Sequence, residues 1–143
     1  MWGGYVGMSS IGFLNFNLFD NAIIFEPNPN SFLLIEKNIK QNNFSDQITA
    51  FNVALSNKNS ELLMELSHKN FGDHRIRQEG PVQEGYYHEE VRKIISVDSV
   101  AFDDFIKKNP QINFKNISMV WMDIQGHEGK FLQGANNFLS SQK

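Results

Sequence analysis

Met119-Val120-Trp121-Met122-Asp123-Ile124-Gln125-Gly126-His127-Glu128-Gly129 decides the fold. An apolar run of strand length stops at an acid, a glycine and a second acid, then gives way to the helix-like Lys130-Phe131-Leu132-Gln133-Gly134-Ala135. A strand over 117–124 feeding a helix delivers its polar side chains to the crevice beyond the carboxyl ends of an open α/β sheet, where ligands bind. Asp123 and Glu128 stand at that place. Capping of the helix by Asp123 and Gln125 is the plainer use of the same residues. A second junction of the same kind weighs against it: Ile23-Ile24-Phe25-Glu26-Pro27-Asn28-Pro29 is also a short apolar strand ending on an acid, with prolines and Ser31 after it.

Outward from these two junctions the chain alternates. Ser31 is placed to cap a helix whose Phe32, Ile35 and Ile39 share one face and which ends near Asn42-Asn43. A β-rich run over 48–55 follows, so strand, helix and strand succeed one another, the pattern of a parallel sheet with helical crossovers. Residues 61–66 and 91–97 read as the two arms of a hairpin-like insertion. Between them lie His68, His74 and His88 with Asp73, Arg75 and Arg77. Their spacing fits no zinc site, and the segment reads as a loop over the ligand end of the sheet, where specificity tends to reside. Asp98 or Ser99 then caps a short helix carrying Phe102, Phe105 and Ile106, which Asn109-Pro110 ends.

At the start, Gly3, Gly4 and Gly7 form a turn feeding a helix from Met8, a place where bare backbone N–H groups can meet a nucleotide or an anion. The Gly-x-x-x-Gly spacing departs from the dinucleotide fingerprint. Glu26 follows Gly7 by 19 residues, the separation at which an acid at the next strand end accepts hydrogen bonds from ribose hydroxyls.

The 143 residues, 41% hydrophobic and 20% charged, make one globular domain. A net charge of −3 gives no broad positive field, which argues against nucleic acid or an anionic membrane as partner. Without cysteine there is neither a disulfide framework nor a thiol nucleophile. No run reaches the ~18 apolar residues of a bilayer span, and Met1-Trp2-Gly3-Gly4 lacks the basic segment of a signal peptide; cytoplasm is the simplest compartment. Both ends read as incomplete, because the glycine turn has no strand before it and nothing after Gly134-Ala135 continues the sheet.

Taken together, Ile23 to Pro29, Asn38-Ile39, Ala54-Leu55-Ser56, Val97-Asp98 and Trp121 to Glu128, in this order and spacing, resemble the FkbM-type methyltransferases over residues 3 to 139. The resemblance implies a class I methyltransferase (Rossmann-like) α/β fold, doubly wound around a mostly parallel sheet, incomplete here and carrying the hairpin-like insertion. It implies S-adenosyl-L-methionine as cofactor and O-methylation of a small-molecule hydroxyl on a sugar or secondary metabolite. Gly3, Gly4 and Gly7 would lie beside the methionine part of the cofactor, Glu26 would hold the ribose, and Pro27 and Asn28 would shape the adjoining turn. Asp123, Gly126 and Glu128 match the motif that borders the meeting place of donor and acceptor. Asp123 and His127 are the candidate proton acceptors, and His74, Arg75 and Glu128 the candidate contacts to the acceptor. No metal is implied. Two departures stand out: Met1 occupies the position of an acid usual in the family, and the further strands are missing. A catalytically inactive cofactor-binding fragment is therefore a rival reading, and an NAD-dependent oxidoreductase a weaker one, since the glycine spacing is wrong and no Tyr-x-x-x-Lys pair is present.

Overall fold

The computed structural model describes residues 5–78 and 92–141. Gly7, at φ 80°, closes the N-terminal turn and caps α1 (Met8–Asn15), which buries Ile11 and Leu14. After β1 (Ala22–Phe25) comes α2 (Pro29–Gln41). Its N-cap is Asn28, whose side chain accepts from the Asn30 N–H at 3.0 Å, and not Ser31. Pro29 moves the start forward, because its ring presets a helical φ and it has no N–H that would need a partner. Ile35 and Ile39 face inward as their spacing requires, and Asn42 ends the helix.

β2 (Ile48–Phe51) pairs parallel with β1 from Ala22↔Ile48 to Phe25↔Phe51, completing a strand-helix-strand unit. The β-rich run over 48–55 is not one strand. Asn52 turns its side chain across to the carbonyls of Glu26 and Pro27, at 2.7 and 3.1 Å. Beyond it, β3 (Ala54–Ser56) enters a second sheet. That sheet has the order β3-β6-β4-β5, built from β4 (Ser60–Leu66), β5 (Arg75–Ile76) and β6 (Lys93–Ala101). β6 runs parallel to β3 and antiparallel to β4, and β5 is antiparallel to β4. The hairpin-like insertion is thus present as β4 and β6, with β5 added at its edge. Among the described residues parallel and antiparallel pairings are balanced, against the expected predominance of parallel ones.

Asp98 and Ser99 lie inside β6, and α3 (Phe102–Lys108) begins after an uncapped Ala101. The stretch 117–124 is the largest departure from the sequence reading. It forms no ladder, only an isolated bridge at Met122. Its alternate apolar residues Val120, Met122 and Ile124 nonetheless pack on the main core, so the period-two pattern is satisfied by side-chain burial and not by hydrogen-bonded neighbours. α4 (Glu128–Gly134) and α5 (Asn136–Ser141) follow.

Two cores flank the β1–β2 pair. Ile24 and Ile48 face α1 and α2 and meet Ile11, Leu14, Ile35 and Ile39. Phe25, on the opposite face, joins a phenylalanine cluster centred on Phe102. Phe102 stands edge-on to Phe138 at 5.1 Å and to Phe114 at 5.7 Å. Among the described residues no helix is long and apolar enough to cross a membrane.

Candidate functional site

A crevice opens where β1, β3 and the 123–127 turn end, with Glu26, Pro27, Asp123 and His127 on one wall and His74 and Arg75 on the other. Glu26 is the polar centre of its first half. It is 5% exposed, at the C-terminal end of β1. Oε1 accepts the Asn28 N–H and Oε2 the Tyr5 N–H, each at 2.9 Å. Burial raises the carboxyl's pKa to about 7, while the two backbone donors pull the other way. One side chain thereby ties the glycine turn, the strand end and the start of α2 together. Asn38 adds a second tie, donating to the Val6 carbonyl at 2.8 Å. Of the sequence-predicted cofactor residues, Glu26 lines the crevice, whereas Gly7 closes the turn at α1 against Ile11 and Ile35 and does not line it. Pro27 lines the crevice, and Asn28 lies behind it as the α2 cap. Gly3 and Gly4 lie outside the described residues. The set fits an adenosyl cofactor: a buried carboxylate at a strand end faces a crevice whose other walls include Val53, Ala54 and Leu55.

The second half of the crevice is shaped by the 123–128 turn. Gln125 (φ 53°) and Gly126 (φ 91°) are both left-handed, and glycine meets that requirement without steric cost. Glu128 folds back over the turn, its Oε1 accepting the N–H groups of Ile124 and Gly126 at 3.3 and 3.4 Å. That use accounts for an acid at 128, and the side chain does not line the crevice. Asp123 is exposed and lines the crevice, accepting from Gln125 Nε2 at 2.9 Å. His127 is 9% exposed, with Nε2 3.0 Å from the Ser56 hydroxyl at the end of β3. Burial, helped by Lys130, holds its pKa below the ordinary value, with Glu128 opposing.

The segment from 67 to 78 supplies the facing wall. His74 Nδ1 accepts the Ser67 N–H at 3.1 Å, and Phe71 packs edge-on against the His74 ring. Arg75 Nε donates to Glu65 Oε2 at 3.0 Å, so the guanidinium is anchored where it lines the crevice. Gln78 reaches the opposite wall, donating to the Gly126 carbonyl at 3.2 Å. Ser56, Tyr5 and Gln78 are site residues that sequence reasoning missed. Only Ser56 carried a signal, its position at a strand end. Among the described residues no cluster of three His or acidic side chains is arranged to hold a metal.

Comparison with known proteins bears on the whole arrangement. None of the curated protein sequences matches the chain. The crystal structure of Methyltransferase FkbM from Methylobacillus flagellatus KT has a similar fold, with a TM-score of 0.59 at 17% identity. The likeness covers 96% of this chain and 28% of that one, so the chain spans little more than a quarter of that protein's length. The sequence profile of the Methyltransferase FkbM domain matches residues 6–143. With that match running from residue 6 to residue 143 and taking in both Glu26 and Asp123, the chain belongs to the FkbM methyltransferase family.

Proposed function

We propose that this chain forms the cofactor-binding and catalytic region of an S-adenosyl-L-methionine-dependent O-methyltransferase, on a class I Rossmann-like fold, acting on a hydroxyl of a small molecule such as a sugar or secondary metabolite. The observation that carries the reading is Glu26, a buried carboxylate at a strand end that binds the glycine turn to the start of the next helix. The remaining lone pairs of its oxygens accept the ribose hydroxyls. Gly7 lets the backbone approach the methionine part, and Pro27 borders the sugar. The bound cofactor supplies a methyl group that an oxygen nucleophile can take from a sulfonium. The chain's own part is to orient the acceptor and to receive its proton. His74 and Arg75 face the acceptor from the insertion, and Arg75 is held rigid by Glu65. As the O–CH3 bond forms, the hydroxyl proton passes to a base on the 123–127 turn, for which Asp123 and His127 are placed.

Calorimetric titration of the purified chain with S-adenosylhomocysteine, with NADH in parallel, tests the reading. Saturable binding of the first alone, lost in Glu26→Ala, is the expected result. Binding of NADH, or binding of S-adenosylhomocysteine that survives Glu26→Ala unchanged, would remove it.

A further inference from the structure

Ser56 and His127 are 71 residues apart in sequence and 3.0 Å apart at their polar atoms, both buried, and the His127 ring lines the crevice. Ser56 is held from several sides. It is 1% exposed, it pairs with Ala101 in the β3–β6 ladder, and its carbonyl lies where a Cβ on Gly134 would come within 1.9 Å. The same residue therefore grips α4 at both ends, its hydroxyl at the N-cap His127 and its backbone at the last residue, Gly134. Its hydroxyl has a second neighbour, Asn57 Oδ1 at 3.4 Å, and the Asn57 amide donates in turn to Gln133 Oε1 at 3.3 Å.

A hydroxyl carries one hydrogen. With Asn57 Oδ1 turned to the hydroxyl and its Nδ2 donating to Gln133, both contacts are satisfied when Ser56 donates to Asn57 and accepts from the imidazole. The reverse order would set two lone pairs against each other at Asn57. We propose that Ser56 is the positioning residue of a His127 base: by accepting the Nε2–H it fixes the tautomer whose bare nitrogen is Nδ1, the atom that receives the acceptor's proton. Nδ1 makes no hydrogen bond among the described residues, and the ring lines the crevice together with Asp123. The charged groups about the ring are Lys130 and Glu128 on its own helix, with Asp123, Glu26, His74 and Arg75 around the crevice. Burial keeps the ring neutral to lower pH than a free histidine, as a proton acceptor must be. The use of this base rests on the methyl-transfer reading, but the tautomer does not.

The test is long-range 15N–1H correlation NMR on the chain labelled at histidine, with the His127 signals identified by their loss in His127→Gln. Neutral His127 protonated on Nε2 is expected in the unmodified protein. Asn57→Ala, at an exposed position, should release the serine hydrogen to Nε2 and move the population toward the Nδ1–H form, and Ser56→Ala should leave a mixture. In methyl transfer, Ser56→Ala should lower kcat about tenfold with S-adenosylhomocysteine affinity unchanged. An Nδ1–H tautomer in the unmodified protein overturns the proposal whether or not the variants fold, as does a tautomer that neither substitution moves. The expected tautomer in a chain that binds no S-adenosylhomocysteine would support the positioning and remove only the functional reading.

Discussion

Glu26 is subject to two opposed effects, and their balance gives a pH dependence. Burial favours the neutral acid, whereas the Tyr5 and Asn28 amides favour the carboxylate; burial is the larger, and the pKa stands at about 7 instead of 4.5. Between those values the unfolded chain has released this proton and the native one still holds it. Native stability attributable to Glu26 is therefore fully present below about pH 4.5, falls as pH rises to about 7, and is level above that, with a total change of about 3 kcal/mol at most. Urea unfolding at pH 5 and pH 7.5 checks this: the wild-type protein should lose more stability across the interval than Glu26→Gln, which has no proton to release. Equal losses would mean that the carboxyl is already ionised at pH 5. The importance of Glu26 was legible in the sequence, because an acid at a strand end after a glycine turn has a recognised use. The pairing of His127 with Ser56 was not legible, since nothing local to either residue reports a neighbour 71 positions away.

At the scale of elements, α4 lies on β3 through Gly134. An added methyl there would meet the Ser56 carbonyl oxygen at 1.9 Å and its carbon at 2.9 Å. Both are backbone atoms in a paired strand, so neither can yield cheaply. Gly134→Ala ordinarily gains about 1 kcal/mol of helix propensity, but overpacking against a fixed backbone costs about 2–3 kcal/mol, so the variant should be less stable than wild type. Thermal unfolding measures the sign, and a rise in Tm would show that α4 can shift outward freely. The unit from β1 through α2 to β2 was readable because its signals are local, an apolar strand, an inward helical stripe and a second β-rich run, although the sequence points to Ser31 as the cap and the structure has it at Asn28, ahead of Pro29. The stretch 117–124 was misread as a laddered strand because an apolar run of strand length reports burial and says nothing of hydrogen-bonded neighbours. The break at Asn52 escaped notice for a related reason. Its cause is a side chain reaching back to Glu26 and Pro27, across 26 and 25 residues.

Over the whole molecule, the phenylalanine cluster joins what the two sheets keep apart. Phe25 comes from the first sheet, Leu55 from the second, and Phe131 and Phe138 from α4 and α5. Phe102, 1% exposed, touches rings from most of these parts. Phe102→Ala should cost about 3–5 kcal/mol, a large share of the roughly 5–15 kcal/mol available to a domain. Denaturant unfolding should show both sheets lost in a single transition, now at lower concentration; two separated transitions would mean that the sheets are independent. The sequence holds 13 phenylalanines, enough to supply much of a core, but their role as the joint between two sheets depends on a split that the sequence did not reveal.

The hydrogen bond from Gln78 to the Gly126 carbonyl has a further consequence. It makes the mouth of the crevice a closed ring of chain instead of two separate lips. An excursion of the 67–78 segment must either carry the 125–126 turn with it or leave that carbonyl without its partner. Separating the two lips therefore costs this hydrogen bond unless they move together, so a change at Gln78 bears on the turn beneath it.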